Sequence, residues 1–247
     1  MALSSAHVST LAEGRLVRRE QVAADTIACW LSRPADFTFA PGQYVEVTLL
    51  SPAFEDAQGP TRAMSIASGP ADDELLLLMR VRDTAFKRSI ATMRLGSPVL
   101  LDGPADDLRI DPSSAEHAVF VAGGVGVAPF RSLLRQAAIA GSLDATLFYS
   151  NRRPEDAAFL DELCAMPSRV RGLRVVPTMT GMADSRQPWS GQTERLGPTL
   201  FARYVPDYRA ARFYVSGSTV LVSGVCFALE RAGIPMGRIA VELYSGY

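Results

Sequence analysis

The chain is poor in the side chains that most often hold metals. Its 247 residues include three cysteines and two histidines. Cys29, Cys164 and Cys226 stand far apart with no paired spacing, which argues against a disulfide framework, a zinc site and an iron–sulfur cluster. With only His7 and His117, a histidine metal site is not expected either. Apolar runs such as Leu75–Met79 and Ala118–Ala122 are far too short to span a bilayer. Met1–Thr10 has neither a basic start nor a long apolar core, so no signal peptide is expected. The net charge of −1 gives no support for non-specific nucleic-acid binding. There is no internal repeat and no low-complexity segment. The expected setting is the cytoplasm, with no metal and no membrane, and any redox cofactor would be organic.

What is present falls into two textures. From Gly14 to about Leu101 the pattern is β, with Leu16–Val22, Thr26–Leu31, Gln43–Leu49, Arg62–Ser68, Glu74–Arg82 and Ser97–Leu101 as strands. Thr84–Arg94 places Phe86, Ile90 and Met93 on one helical face and stops at Gly96. These elements predict a small antiparallel barrel over residues 1–111. Residues 105–114 are rich in Asp, Pro and Ser, and the boundary is placed near Pro112. Beyond it strands (His117–Ala122, Ala145–Ser150, Leu173–Thr178, Arg212–Ser216, Ile239–Val241) alternate with helices (Pro129–Ala140, Glu155–Met166, Pro198–Tyr204, Thr219–Ala232). That order predicts a doubly wound parallel sheet over residues 112–247, with ligands at the carboxyl ends of its strands.

Ala118–Arg131 organises the second half. An apolar strand runs into Gly123, Gly124, Val125 and Gly126, and Pro129 opens a helix. Backbone N–H groups in such a turn approach an anion closely, and the helix N-terminus adds partial positive charge. A phosphate or pyrophosphate is the natural guest.

Arg62-Ala63-Met64-Ser65, preceded by Pro41-Gly42-Gln43-Tyr44, resembles the R-x-Y-S and P-G-Q motifs of the ferredoxin–NADP reductase superfamily. The resemblance covers roughly Gly14 to Tyr247. It implies a flavin-binding β-barrel followed by an α/β domain for a nicotinamide dinucleotide. Arg62 would neutralise a flavin phosphate and Ser65 would offer its hydroxyl to flavin N5. Met64 stands where the family usually has an aromatic residue. Phe86, Lys87 and Ser89 resemble a second phosphate-binding segment. Gly123, Gly124, Gly126 and Pro129 match the G-G-x-G-x-x-P loop for the dinucleotide. Ser150, Arg152 and Arg153 end the next strand, where the family reads the adenosine ribose, and two arginines without an acid favour NADPH over NADH. Thr178 and Thr180 are candidates for the pyrophosphate.

At the C-terminal end, Ser216-Gly217 stands where the family usually shows Cys-Gly-Pro, and Val241-Glu242-Leu243-Tyr244 resembles a V-E-x-Y terminus. The resemblance places Ser216 and Glu242 near the reacting ring, with Tyr244 or Tyr247 as the flavin cover. The reading it implies is a stand-alone FAD-dependent reductase. A hydride would pass from NADPH, or NADH, to the flavin, and single electrons would pass to a ferredoxin or flavodoxin. FAD is preferred to FMN because the family's two-domain members mostly use it. Two alternatives stay open: the reductase component of an oxygenase system or a flavin or ferric reductase, and a flavin-binding subunit or sensor without turnover. Arg15, Arg18, Arg19 and Arg82 are candidates for meeting an acidic acceptor.

Overall fold

A computed structural model describes residues 10–106, 108 and 116–244. The boundary expected near Pro112 lies outside the described residues, as does Tyr247. In the first half, β1 (Thr10–Ala23), β2 (Thr26–Ser32), β3 (Gln43–Leu49), β4 (Thr61–Ser65), β5 (Glu74–Arg80) and β6 (Pro98–Asp106) form one antiparallel sheet, ordered β4-β3-β6-β1-β2-β5. Its two edges meet through the Ile66–Leu77 bridge and the Ala67 N–H, which donates to Leu76 O at 2.8 Å. The sheet thereby curls into a barrel, as expected.

β5 shows why its sequence does not alternate. Leu75, Leu77 and Met79 enter the barrel core with Leu16, Val45 and Phe86, whereas Leu76 and Leu78 pack outward with Phe120 and Phe130 of the second half. A strand buried on both faces needs apolar residues at every position. Helix α1 (Ala85–Thr92) buries Phe86 and Ile90, and Thr84 caps it by accepting from Lys87 N.

In the second half, β7 (Ala118–Gly123), β8 (Ser142–Asn151), β9 (Arg171–Met179), β10 (Arg212–Ser218) and β11 (Ile239–Tyr244) form a parallel sheet ordered β11-β10-β7-β8-β9. Helices α2 (Ala128–Ala140) and α3 (Leu160–Ala165) belong to the core around Phe120, Phe130 and Tyr149. Helices α4 (Pro198–Tyr204) and α5 (Thr219–Arg231) belong to a separate core around Phe148, Phe201 and Phe213.

Several expected elements differ in extent: β1 begins at Thr10 rather than Leu16, and β6 runs to Asp106 rather than ending at Leu101. The helix expected over Glu155–Met166 begins only at Leu160, because Pro154–Asp156 forms a 3₁₀ turn and Phe159 sits at φ 55°, outside the right-handed region. The strand expected over Arg62–Ser68 ends at Ser65. Beyond it the Ser68 hydroxyl turns to accept from Leu76 N at 3.1 Å.

Candidate active site

Two clefts meet where the barrel faces the parallel sheet. The first, of about 640 Å³ and open to solvent, is lined by Arg62, Ala63 and Met64 of β4, Leu78–Arg80 of β5, and Thr84, Phe86 and Lys87 at the start of α1. Gln58, Val125 and Tyr244 complete it. The Arg62 guanidinium folds onto its own loop, donating to Thr61 O at 2.6 Å and to the Gln58 side chain at 2.8 Å, and lies 5.3 Å from the Phe86 ring. Burial holds the Lys87 ammonium below its ordinary pKa, and Arg82, Arg62 and Arg80 push it further down. So much positive charge on one wall is a site built for an anion.

Ser89 faces elsewhere. Its buried hydroxyl donates to Phe54 O at 3.2 Å and accepts from Phe54 N at 2.9 Å, so it pins the preceding loop rather than lining the cleft.

The second cleft, of about 1550 Å³, opens at the carboxyl ends of the parallel strands. It lies where the order reverses between β7 and β10, the switch point at which open α/β sheets take their ligands. Gly123, Gly124, Val125, Ser150, Arg152, Thr180, Arg195 and Ser218 are among its lining residues. Gly124 sits at φ 55°, and Gly124–Val127 makes a 3₁₀ turn that runs straight into α2, with Pro129 in the first turn. A Cβ on Gly126 would lie 2.4 Å from Ser216 O and 2.7 Å from Gly217 Cα. Only glycine lets the loop rest against β10 this closely. Val125 and Arg80 line both clefts, so the two adjoin at these residues.

Other members of the expected set fall differently. Arg153 forks onto Asp156, with contacts of 3.0 and 2.9 Å, and does not line the cleft. Arg152 lines it and reaches Asp184 at 3.3 Å. Thr178 is fully buried and donates to Glu194 O at 2.5 Å, so Thr180 takes the place at the cleft.

At the seam between the halves, four side chains converge. Glu242 on β11 is 2% exposed. Its carboxylate accepts one hydrogen bond from the Ser65 hydroxyl and another from Ser216 Oγ at 2.6 Å. Tyr244 OH donates to Ser65 Oγ at 2.5 Å. The parallel register pairs Ser216 with Glu242 across β10 and β11, which aligns both for Ser65 from the barrel. A buried carboxylate held by two hydroxyls is fixed in place and unavailable to bulk water.

Two lining residues were not singled out from the sequence. Arg80 ends the leucine-rich strand, and its Nε is buried without a partner. Asn151, 7% exposed, leaves its Nδ2 buried and unpartnered at the second cleft. Arg80 was hidden because only the fold brings the end of its strand to a cleft, whereas Asn151 stands inside the run 150–153 already placed at the site and, as an uncharged amide, was passed over. Such orphaned donors are expected where a ligand completes the bonding.

Residues 120–226 match the family described as oxidoreductase NAD-binding domain. The chain is 29% identical over 214 residues to ferredoxin–NADP reductase B of Sorangium cellulosum, covering 84% of this chain and 86% of that protein. It overlays a ferredoxin NADP+ reductase from Neisseria gonorrhoeae, solved with bound FAD and NADP, at a TM-score of 0.76 and 23% identity, over 94% of this chain and 98% of the other. By these measures the chain is similar to the ferredoxin–NADP reductase-like FAD/NAD-binding reductases. It is also 26% identical over 221 residues to the glycine betaine monooxygenase reductase subunit of Chromohalobacter salexigens, over 87% of this chain. It spans 59% of that relative, and 61% and 63% of two propane 2-monooxygenase reductase components.

Proposed function

We propose that the chain is an FAD-dependent reductase that takes a hydride from NADPH or NADH and delivers single electrons to a redox partner. The observation that carries this reading is the pairing of a cationic first cleft with a glycine-loop second cleft, joined at Val125 and Arg80 beside the Ser65–Glu242–Ser216 cluster. The residues fit both groups. The first cleft supplies Arg62, Arg80 and Lys87 for a diphosphate. The second supplies the open backbone of the glycine loop and the orphaned Asn151 amide.

When bound, the flavin supplies the chemistry, accepting a hydride from the reduced nicotinamide and releasing electrons one at a time. The protein sets the geometry. Met64 lines the cleft with a flexible thioether where the superfamily usually has an aromatic ring. Ser65, 5% exposed, gives its proton to Glu242 and accepts from Tyr244 next to Met64, so it would offer that proton to a flavin nitrogen only in competition with Glu242. Glu242, buried at the seam, orients the Ser65 and Ser216 hydroxyls from β11. Tyr244 lines the first cleft and is the residue that would cover the flavin. Gly217 lies close against the Gly123 backbone, Pro129 stands in the first turn of α2, and Arg152 and Arg195 both line the cleft where a 2′-phosphate would be met.

The named relatives support an oxygenase component or a ferredoxin as the electron acceptor. Arg19 is not available to such a partner, because it donates to Ile90 O and Met93 O behind α1. Among the described residues no helix is long and apolar enough to cross a membrane, and we place the reductase in the cytoplasm.

Anaerobic titration with NADPH and, separately, with NADH tests the reading. A yellow protein bleached stoichiometrically by either nucleotide is expected. A yellow protein that neither bleaches would point to a flavin-binding subunit without turnover. A protein that binds neither FAD nor FMN would overturn the reading.

A further inference from the structure

Helix α2 grips the barrel through two arginines one turn apart. Arg135 forks onto Asp72, in the turn between β4 and β5, with Nε to Oδ2 at 2.7 Å and Nη2 to Oδ1 at 2.7 Å. Arg131, 6% exposed, donates through Nη1 to Ala67 O at 2.7 Å, two residues beyond Ser65. Glu162 of α3 lies between them, accepting from Arg131 Nε at 3.0 Å and Nη2 at 2.9 Å and from Arg135 Nη1 at 3.4 Å. The turn is held from its other side as well, because Arg33 donates to Pro70 O at 2.6 Å and to Asp72 O at 3.0 Å. Asp72 also accepts from Gly69 N at 2.8 Å, which holds its carboxylate within the turn. Bidentate arginine–carboxylate contacts fix direction as well as distance.

We propose that the Asp72–Arg135–Glu162–Arg131 clasp is a positioning device, setting the separation between the glycine loop at the head of α2 and Ser65 on β4. This rests on the reductase reading above. One end of α2 carries the loop that would hold the dinucleotide, and its side holds Ala67 and Asp72 in the segment that follows the strand that would face the flavin. A shift of the helix against the barrel therefore changes the approach of the two rings without touching either binding surface. Misplacement by about an ångström is enough to slow a transfer that depends on near-contact geometry.

The test uses the full-length flavin-loaded protein and compares Asp72→Asn, Arg135→Met and the exchanged pair Asp72→Arg/Arg135→Asp. In stopped flow, each single variant is expected to bleach about tenfold more slowly at saturating NADPH, with the dissociation constant for NADPH changed less than about twofold. The long-wavelength charge-transfer absorbance should weaken in parallel, and the exchanged pair should recover most of the rate. Hydrogen–deuterium exchange on the flavin-free protein supplies a readout independent of turnover, with residues 67–76 losing protection in both single variants. Lost protection at an unchanged rate would make the clasp structural only and overturn the proposal. Protection unchanged in both variants would overturn it too. Failure of the parent protein to be bleached would instead strike the reductase reading, while the exchange data would still report on the clasp.

Discussion

Gly126 leaves no room for a side chain. An added methyl would press on the Ser216 carbonyl and the Gly217 backbone, neither of which can rotate away. Gly126→Ala is expected to cost about 1–3 kcal/mol by overpacking, visible as a melting temperature lower by several degrees, with impaired NADPH binding besides. Cys29 illustrates the opposite condition, a thiol sealed in the barrel core, where burial pushes its pKa up to about 12. It should resist alkylation at neutral pH until the protein unfolds, whereas the exposed Cys164 reacts in the native state; mass-spectrometric counting of labelled cysteines checks this. Asp72 lies between these cases. Burial alone would raise its carboxyl pKa, but the Arg135 guanidinium and the Gly69 N–H outweigh it and hold it below the usual range. Its contribution to stability is therefore complete above the ordinary carboxylate pKa and is lost as pH falls through the depressed value. Melting curves from neutral to acid pH should show a shallower acid-side loss in Asp72→Asn than in the parent.

At the scale of elements, α1 matters because its first turn forms one wall of the cationic cleft. Two caps hold that turn. Thr84 accepts from Lys87 N, and Asp56 reaches over from the preceding loop to accept from Ala85 N at 2.9 Å. The bond from Ala85 N holds the Asp56 carboxyl below its ordinary pKa, opposed by slight desolvation and reinforced by Gln58 N and Arg62. Asp56→Ala should loosen this end of α1 and weaken FAD binding by about three- to tenfold, read by fluorescence titration of the apoprotein, with thermal stability little changed. Asp56 could not be found from the sequence, since it caps a helix 29 residues away. The glycine loop was legible because one contiguous run must make strand, turn and helix. The meeting of Ser65 with Glu242 was legible only through resemblance, because nothing local joins positions separated by 177 residues. The pairing of Arg153 with Asp156 was missed for a further reason: the late start of α3 leaves Pro154–Asp156 as a tight turn that folds the acid back onto the arginine.

Across the whole molecule, one apolar core crosses the seam. Ala28, Leu76 and Leu78 of the barrel pack in the same cluster as Phe120, Phe130 and Tyr149 of the parallel sheet. Polar bonds cross it as well: Ala24 N to Glu155 O at 2.7 Å, Arg131 to Ala67 O, Arg135 to Asp72 and Ser65 to Glu242. The two halves are therefore expected to melt in a single calorimetric transition, with calorimetric and van't Hoff enthalpies in agreement. Two resolved transitions would show that the seam contributes little to either half.

The carboxylate on β11 also has a consequence for timing. Translation reaches Glu242 177 residues after Ser65, roughly ten to thirty-five seconds later at ordinary elongation rates. Through that interval the growing chain holds a complete barrel strand and hydroxyl but no acid to orient it. On the proposed reductase reading, a growing chain could have the cationic wall of its first cleft complete and still lack the acid that orients Ser65, so the seam is finished only once β11 is made.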